Sequence, residues 1–382
     1  MFNYTVLGAG RQGTAAAYDL ARFGEAGRIV IADREQALAA EAAARVNRLS
    51  GREVAVAATV DARDRAALAD LLHGTQATIS ALPFAFNLTA TEAAIAAGSH
   101  IADLGGNTAV VQQQLALHPR AKLAGVSVLP DCGLMPGMGN LLALHALSLL
   151  ANPREVYIYV GGLPLHPHPP LNYQLSFNMD GLINEYVGDA IYLRGGEIAT
   201  VPALTEPEWV EFPAPLGRCE AFVTSGGTST VPYHFAGRLR VYEEKTVRYP
   251  GHLSILQAWQ ALGLFDAEPQ MIGGQLLSPR RVLADLLTPR ISFPGAADVV
   301  VLRVRVRNDA GQEAQVDLLD QADAATGFSA MERTTGFPTA LLATMQAQGL
   351  IAPGAQPLEV AVPVAEFVSR LGLRQFSEQS LG

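Results

Sequence analysis

Directly after the first apolar run, Gly8-Ala9-Gly10-Arg11-Gln12-Gly13 has the residue types and spacing to grip a diphosphate. Gly8 permits a tight turn from strand to helix, Gly10 lets main-chain amides approach a pyrophosphate with no Cβ in the way, and Gly13 lets the helix pack on the sheet. Arg11 and Gln12 sit inside the turn, where unpaired N–H groups and the positive helix end meet the phosphates. A lone glycine pattern is weak evidence. Asp33 strengthens it, because an acid about 20 residues on, at the end of the next strand, receives the ribose hydroxyls. Its charge repels a 2′-phosphate and favours NAD. The adjacent Arg34 could meet that phosphate if the acid turned away, so NADP stays open. Ser80-Ala81-Leu82-Pro83 closes the fourth expected strand, at the edge where the nicotinamide half of a dinucleotide passes. An ordinary strand-end turn is the rival reading there, and a fold of this type without a dinucleotide is the rival for the whole set.

The elements that must position these groups follow from the alternation of short β-rich runs with Ala/Leu-rich helical runs. Strands are expected at 4–7, 28–32, 53–57, 77–81, 100–103 and 127–130, with helices at 12–23, 35–49, 63–72 and 88–97. This is an α/β fold, with an N-terminal Rossmann doubly wound parallel sheet. Beyond Gly137 the texture changes to longer strands and Pro/Gly-rich loops. Strands at 155–160, 217–224, 237–249, 298–308 and 312–319 and helices at 253–262 and 280–287 predict a second α+β domain on a mostly antiparallel sheet. The expected division is 1–135 for the dinucleotide-binding domain and 136–337 for substrate binding and oligomerisation. Helices at 339–348 and 364–371, within a tail of 338–382, are candidates to pack back on the first domain.

A chain of 382 residues with 49% hydrophobic and 16% charged residues is long and apolar enough for two packed cores. The net charge of −9 and the lack of Lys/Arg clusters exclude nucleic acid as the expected partner. The most apolar helical stretch, 141–151, is too short to span a bilayer, so no membrane association is expected. No targeting segment is legible, which makes the cytoplasm the expected location. Cys132 and Cys219 are the two cysteines, too few for a disulfide framework or thiolate metal site. His166 and His168 lie among prolines without nearby acids and read as a solvent loop. No metal is expected.

A second constellation, Asp131-Cys132-Gly133-Leu134-Met135-Pro136-Gly137-Met138-Gly139-Asn140, follows the sixth strand and opens a helix. Together with Gly161-Gly162-Leu163-Pro164, Tyr242-Glu243-Glu244-Lys245-Thr246-Val247-Arg248-Tyr249-Pro250-Gly251-His252 and Glu332-Arg333-Thr334-Thr335-Gly336-Phe337-Pro338, it resembles the saccharopine dehydrogenase-like family and, within it, the lysine 6-dehydrogenases. The resemblance runs in order along nearly the whole chain. It implies an NAD(P)-dependent dehydrogenase acting on CH-NH2 or CH-NH donors of an amino acid, with the second domain forming the substrate pocket and the interface of a homodimer or homotetramer. The glutamate-forming saccharopine reductases match less well. They carry an acid where this chain has Met135, and a carboxylate-clamping arginine roughly where it reads Thr224-Ser225-Gly226-Gly227-Thr228. Gly or Thr does not replace a bidentate Arg, so the resemblance favours lysine over a glutaryl-bearing substrate.

Oxidative deamination at the ε-carbon of L-lysine gives 2-aminoadipate 6-semialdehyde, ammonia and NADH. It needs a neutral amine, hydride transfer and a proton acceptor titrating near neutrality. Lys245, His252 and Asp131 are the candidate acceptors, because crowding by Arg248 lowers the pKa of the lysine or histidine. A solvated charged strand is the rival reading of that segment. Arg248 and Arg333 are candidates for the α-carboxylate, with Thr334 beside the latter. Asp103 and Asp131 could hold an amino group or cap a helix, and Tyr173 and Asn172 are candidate polar contacts. Two alternatives stay open: a saccharopine or carboxynorspermidine type reductase using NADPH, and a non-catalytic NAD(P)-binding regulatory protein. Asp33→Ser is expected to weaken NAD binding and shift preference toward NADP in calorimetric titrations; unchanged discrimination would count against NAD.

Overall fold

The computed structural model describes residues 1–380. The first sheet has seven strands, all parallel, in the order Gly354–Ala355, Ser127–Leu129, His100–Asp103, Ala77–Ser80, Phe2–Leu7, Ala26–Asp33, Ala55–Thr59. Helices cover both faces, so the central strands read as unbroken apolar runs; Val6, Ile31 and Ile79 stand side by side and fully buried. The expected α/β class is therefore observed, with all six expected strands of this sheet. A seventh, Gly354–Ala355, joins its edge from the far end of the chain.

The second sheet is mixed. Its central strand Pro153–Pro164 runs antiparallel to Asp298–Asn308 and parallel to Val241–Arg248. Glu313–Gln321 extends one side, and Arg218–Phe222 with Glu208–Glu211 extends the other. Two hairpins escape the sequence reading: Asp189–Arg194 with Glu197–Pro202, and Gln270–Ile272 with Gln275–Leu277. Each turns on a Gly-Gly pair, Gly195-Gly196 and Gly273-Gly274, with positive φ at both residues. That pair is the sequence signature of a two-residue hairpin loop.

The helix Ala330–Ala347 ties the end of the chain to its beginning. It starts nine residues earlier than the sequence reading placed it. Ser329 accepts the Glu332 amide while Glu332 accepts the Ser329 amide, a reciprocal cap that marks the helix start. Asp298 takes the next two free amides, from Ala330 at 2.6 Å and Met331 at 3.0 Å. The helix lies along Arg11–Phe23, whose facing residues Ala15 and Ala16 are small and fully buried. Gly336 is the contact point: a Cβ there would meet the Ala16 nitrogen at 2.8 Å and the Ala15 Cβ at 3.0 Å. Arg374, from the end of the chain, forms a buried ion pair with Asp19 of the same N-terminal helix at 2.8 Å.

Backbone atoms cannot move aside as a flexible side chain would. Gly336→Val is therefore expected to destabilise the protein by about 1–3 kcal/mol, read as a lowered Tm; an unchanged Tm would show that the two helices are not in close register.

Candidate functional site

Between the carboxyl edge of the first sheet and one face of the second lies a cleft of about 1470 Å³. The glycine turn forms one wall. Gly8 has φ +98°, and its carbonyl lies where a Cβ on Gly13 would fall, at 1.9 Å, so both positions are closed to larger residues. A Cβ on Gly10 would meet nothing within 4 Å, and Gly10, Arg11, Gln12 and Gly13 all line the cleft. The turn thus keeps an open cradle above free helix amides, and Gln12 adds a buried Oε1 with no protein partner. These are the features a pyrophosphate fits.

Asp33 ends its strand with Oδ2 accepting the Ala9 amide at 2.9 Å and Oδ1 accepting the Glu35 amide at 3.0 Å. The carboxylate is held at the rim of the turn, and Arg34 beside it is largely exposed. Ala81, Leu82 and Pro83 line the cleft. Ser80 does not: it is buried and donates to Asn87 Oδ1 at 2.9 Å. Gly8 also stays behind the surface, shaping the turn.

The opposite wall is the strand Val241–Arg248. Because side chains alternate, Glu244, Thr246 and Arg248 face the cleft and Lys245 does not. Lys245 points to the other side of the sheet, 2.8 Å from Glu208, which removes it as a base. Glu244 takes its place as the ionisable group of interest. It is 1% exposed, its Oε2 has no partner, and Thr246 Oγ1 lies 3.5 Å from its Oε1. Burial, with the Glu185 charge adding, pushes its carboxyl up to about 8, against the opposing pull of Arg248. Gly227 makes room for it: a Cβ there would sit 2.2 Å from Glu244 Oε2.

Arg248 is buried, reaches Glu185 at 3.1 Å and stacks over Tyr173 at 4.9 Å, and both partners line the cleft. His252 sits behind this group. Its Nε2 meets the Tyr186 hydroxyl at 3.1 Å and its Nδ1 the Leu171 carbonyl at 3.0 Å, away from the cleft. Burial and the Arg248 charge bring it down to about 3, so it is a neutral strut and too weak a base.

Asp131 lines the cleft at the seam between the two sheets. It holds φ +63°, a left-handed conformation uncommon for a residue with a side chain. Ser229 from the second domain donates to its Oδ2, and its own amide donates to Asp103 Oδ1 at 3.3 Å. Burial, then the Asp103 charge, push its carboxyl up to about 7. Asp103 itself stays beneath the surface, accepting from Gln114 at 2.7 Å and the Gly105 amide at 2.7 Å, and does not line the cleft. Arg333 and Thr334 also fall away from the cleft. Arg333 pairs with Asp320 at 2.7 Å and caps the Gln375 carbonyl at 2.9 Å, while Thr334 bonds its own helix at Ala330. Their helical neighbours Glu332 and Thr335 do line it, and Glu332 pairs with Arg11 at 2.7 Å, linking the glycine turn to the far end of the chain.

Two family models divide the chain. The saccharopine dehydrogenase NADP binding domain matches residues 4–129, and the saccharopine dehydrogenase C-terminal domain matches residues 133–373. The chain belongs to the saccharopine dehydrogenase family. Its first domain is accordingly a nicotinamide-dinucleotide unit, for NAD or NADP. Among relatives of this family member, the mitochondrial alpha-aminoadipic semialdehyde synthase of Bos taurus is 23% identical over 82% of this chain and 42% of that protein. The saccharopine dehydrogenase [NADP(+), L-glutamate-forming] of Pyricularia oryzae is 25% identical over 56% of this chain and 48% of that protein. The chain thus spans less than half the length of these two relatives. The fold matches that of the apo saccharopine dehydrogenase (L-Glu forming) from Saccharomyces cerevisiae, with a TM-score of 0.77, 19% identity and coverage of 100% and 99% of the two chains. It also matches homospermidine synthase from Legionella pneumophila in complex with NAD, with a TM-score of 0.66, 11% identity and coverage of 99% and 90%.

Among the described residues, no helix is long and apolar enough to cross a membrane. The open position at Gly10 gives a separable test of the cradle: Gly10→Ala costs no more than about 1 kcal/mol of stability as a helix-cap change, but weakens NAD and NADP binding in calorimetry. Unimpaired binding would place the diphosphate elsewhere.

Proposed function

We propose that this protein oxidises the side-chain amine of an amino acid with NAD, acting on L-lysine at the ε-carbon to give 2-aminoadipate 6-semialdehyde, ammonia and NADH. The observation that carries this reading is the charge balance of the cleft. Among its lining residues the cations are Arg11 and Arg248, already paired with Glu332 and Glu185, whereas Asp131, Asp189, Glu244 and Asp323 add further acids. Glu244 brings a buried carboxylate oxygen with no partner. An ammonium group satisfies that oxygen. A substrate with three carboxylates, such as saccharopine, would face uncompensated like charge.

Each residue then has a role that its geometry allows. Arg248, the cation on the second sheet's face of the cleft, takes the single α-carboxylate of lysine alongside its pairing with Glu185, which leaves no cation there for a second or third carboxylate. Glu244 stands four residues back on the same strand face, about 13 Å along the strand, and holds an amino group. Asp131, close to neutral pKa and beside the loops that edge the first sheet, takes the proton that must leave the ammonium before its carbon can give up hydride. The dinucleotide, when bound, supplies the hydride acceptor. Residues 10–13 hold its diphosphate, and Asp33 its ribose. The fixed Asp33 carboxylate supports NAD, because a 2′-phosphate would meet its charge.

A second reading, an NADPH-dependent reductase of the saccharopine or carboxynorspermidine type, draws on the NADP named in the matching family model and on exposed Arg34 at the ribose rim. NADH formation with a panel of diamino acids separates the two: turnover with lysine and NAD supports the first, and activity confined to condensed imines with NADPH contradicts it. Because Asp131 and Glu244 are neutral below their raised pKa values, kcat/KM for lysine is expected to rise with pH through about 7 to 8. Glu244→Gln should raise KM for lysine about 10- to 100-fold with little change in NAD affinity; an unchanged KM would remove Glu244 from recognition.

A further inference from the structure

Asp131 faces two cavities. On one side is the main cleft; on the other is a second cavity of about 10 Å³, whose lining includes Asp131, Ser229, Thr230 and Glu359. Pro130, Pro136 and Pro357 enclose it with apolar atoms. That volume is at the lower bound for one water molecule, which needs two to four polar partners. The partners are in place. Glu359, in the short helix Leu358–Ala361, is tethered by the Thr230 side chain, yet its Oε1 is buried and has no protein partner. Asp131 Oδ2 already receives Ser229 and retains acceptor capacity. Glu359 as a residue is only half-buried, which puts it on the outer side of this cavity. Its charge is also among those that hold the Asp131 carboxyl up, after burial and Asp103.

We infer that Glu359, through one water in this cavity, forms a proton relay that returns Asp131 to its ionised state and releases the proton on the side of the protein away from the substrate. The inference rests on the amine-oxidation reading, which generates the proton. The substrate ammonium gives one proton to Asp131, the resulting neutral amine loses hydride to NAD to leave an iminium ion, and water converts this to aldehyde and ammonium. One proton per turnover remains for bulk solvent. On the cleft side Asp131 faces the space that dinucleotide and substrate share. Asp103 cannot serve, because its oxygens are engaged by Gln114, Gly105 and the Asp131 amide. The cavity behind Asp131 is a route separate from the cleft, and Glu359 is the other titratable group in its lining.

Glu359→Gln keeps the size and hydrogen-bonding reach of the side chain but cannot carry a proton. In stopped-flow measurements on the full-length protein with NAD and lysine, NADH absorbance and a pH indicator followed together should rise in step for the wild type. For Glu359→Gln, the first NADH should form normally, the proton signal should lag, and steady-state turnover should fall about 10-fold or more. Formate or azide should restore it by carrying the proton, which a merely structural defect would not allow. Protons and NADH rising together in the variant, with no lag and no rescue, would overturn the relay while leaving the amine-oxidation reading intact. Absence of NADH from any amine in the wild type would instead overturn that reading and, with it, the relay. A crystal structure of the protein tests the cavity without any substrate: an ordered water within hydrogen-bond distance of both Asp131 and Glu359 is expected, and side chains closed over the space would contradict it.

Discussion

Helix Ala330–Ala347 can lie against helix Arg11–Phe23 only because Gly336 has no Cβ and the facing residues are alanines. Interiors are packed too tightly to absorb an extra carbon against backbone atoms. This contact sets the geometry of the cleft: it brings the capped helix start, with Ser329 and Glu332, to the glycine turn, where Glu332 meets Arg11. The same helix receives Asp298 at its first amides, so the second sheet is anchored to the first through one rigid rod. Closure of the chain on itself and construction of the site are the same event.

Once closed, the seam collects carboxylates that have no ion-pair partner among the described residues. Asp131 and Glu244 are buried, raised in pKa, and the former is held at positive φ. Such features destabilise a fold and persist where the rest of the structure determines them, which is characteristic of functional sites. Their positions also divide the work: Asp131 belongs to the first domain's edge and Glu244 to the second domain's sheet, so a ligand that touches both must lie between them. Lys245, one residue from Glu244, is excluded from this division by strand alternation alone.

The parts legible in the sequence were those whose cause is local. The glycine turn, Asp33 and the strands of the first sheet follow from conformational freedom at glycine and from unbroken apolar runs, and each appears within a few residues of its expected place. The facing of side chains in the second domain depends on which neighbour a strand pairs with, and this is set by residues far away. Lys245, His252 and Arg333 carry the right chemistry but point to Glu208, Tyr186 and Asp320. Glu244 could have been found by extending the alternation back from Arg248. The capping pair Ser329 and Glu332 likewise marked the true helix start, ahead of the expected start at 339. Glu359 gave no local signal, since its significance comes from a cavity formed by four separate chain segments.

The central claim is that hydride leaves the carbon bearing the side-chain amine, in a cleft whose acids receive an ammonium. Incubation with NAD and L-lysine deuterated at C6, followed by mass spectrometry of the reduced dinucleotide, tests it most directly. The account predicts deuterated NADH from the C6-labelled substrate and unlabelled NADH from lysine deuterated at C2. Label arriving from C2, or reduced dinucleotide free of deuterium in both cases, would contradict it.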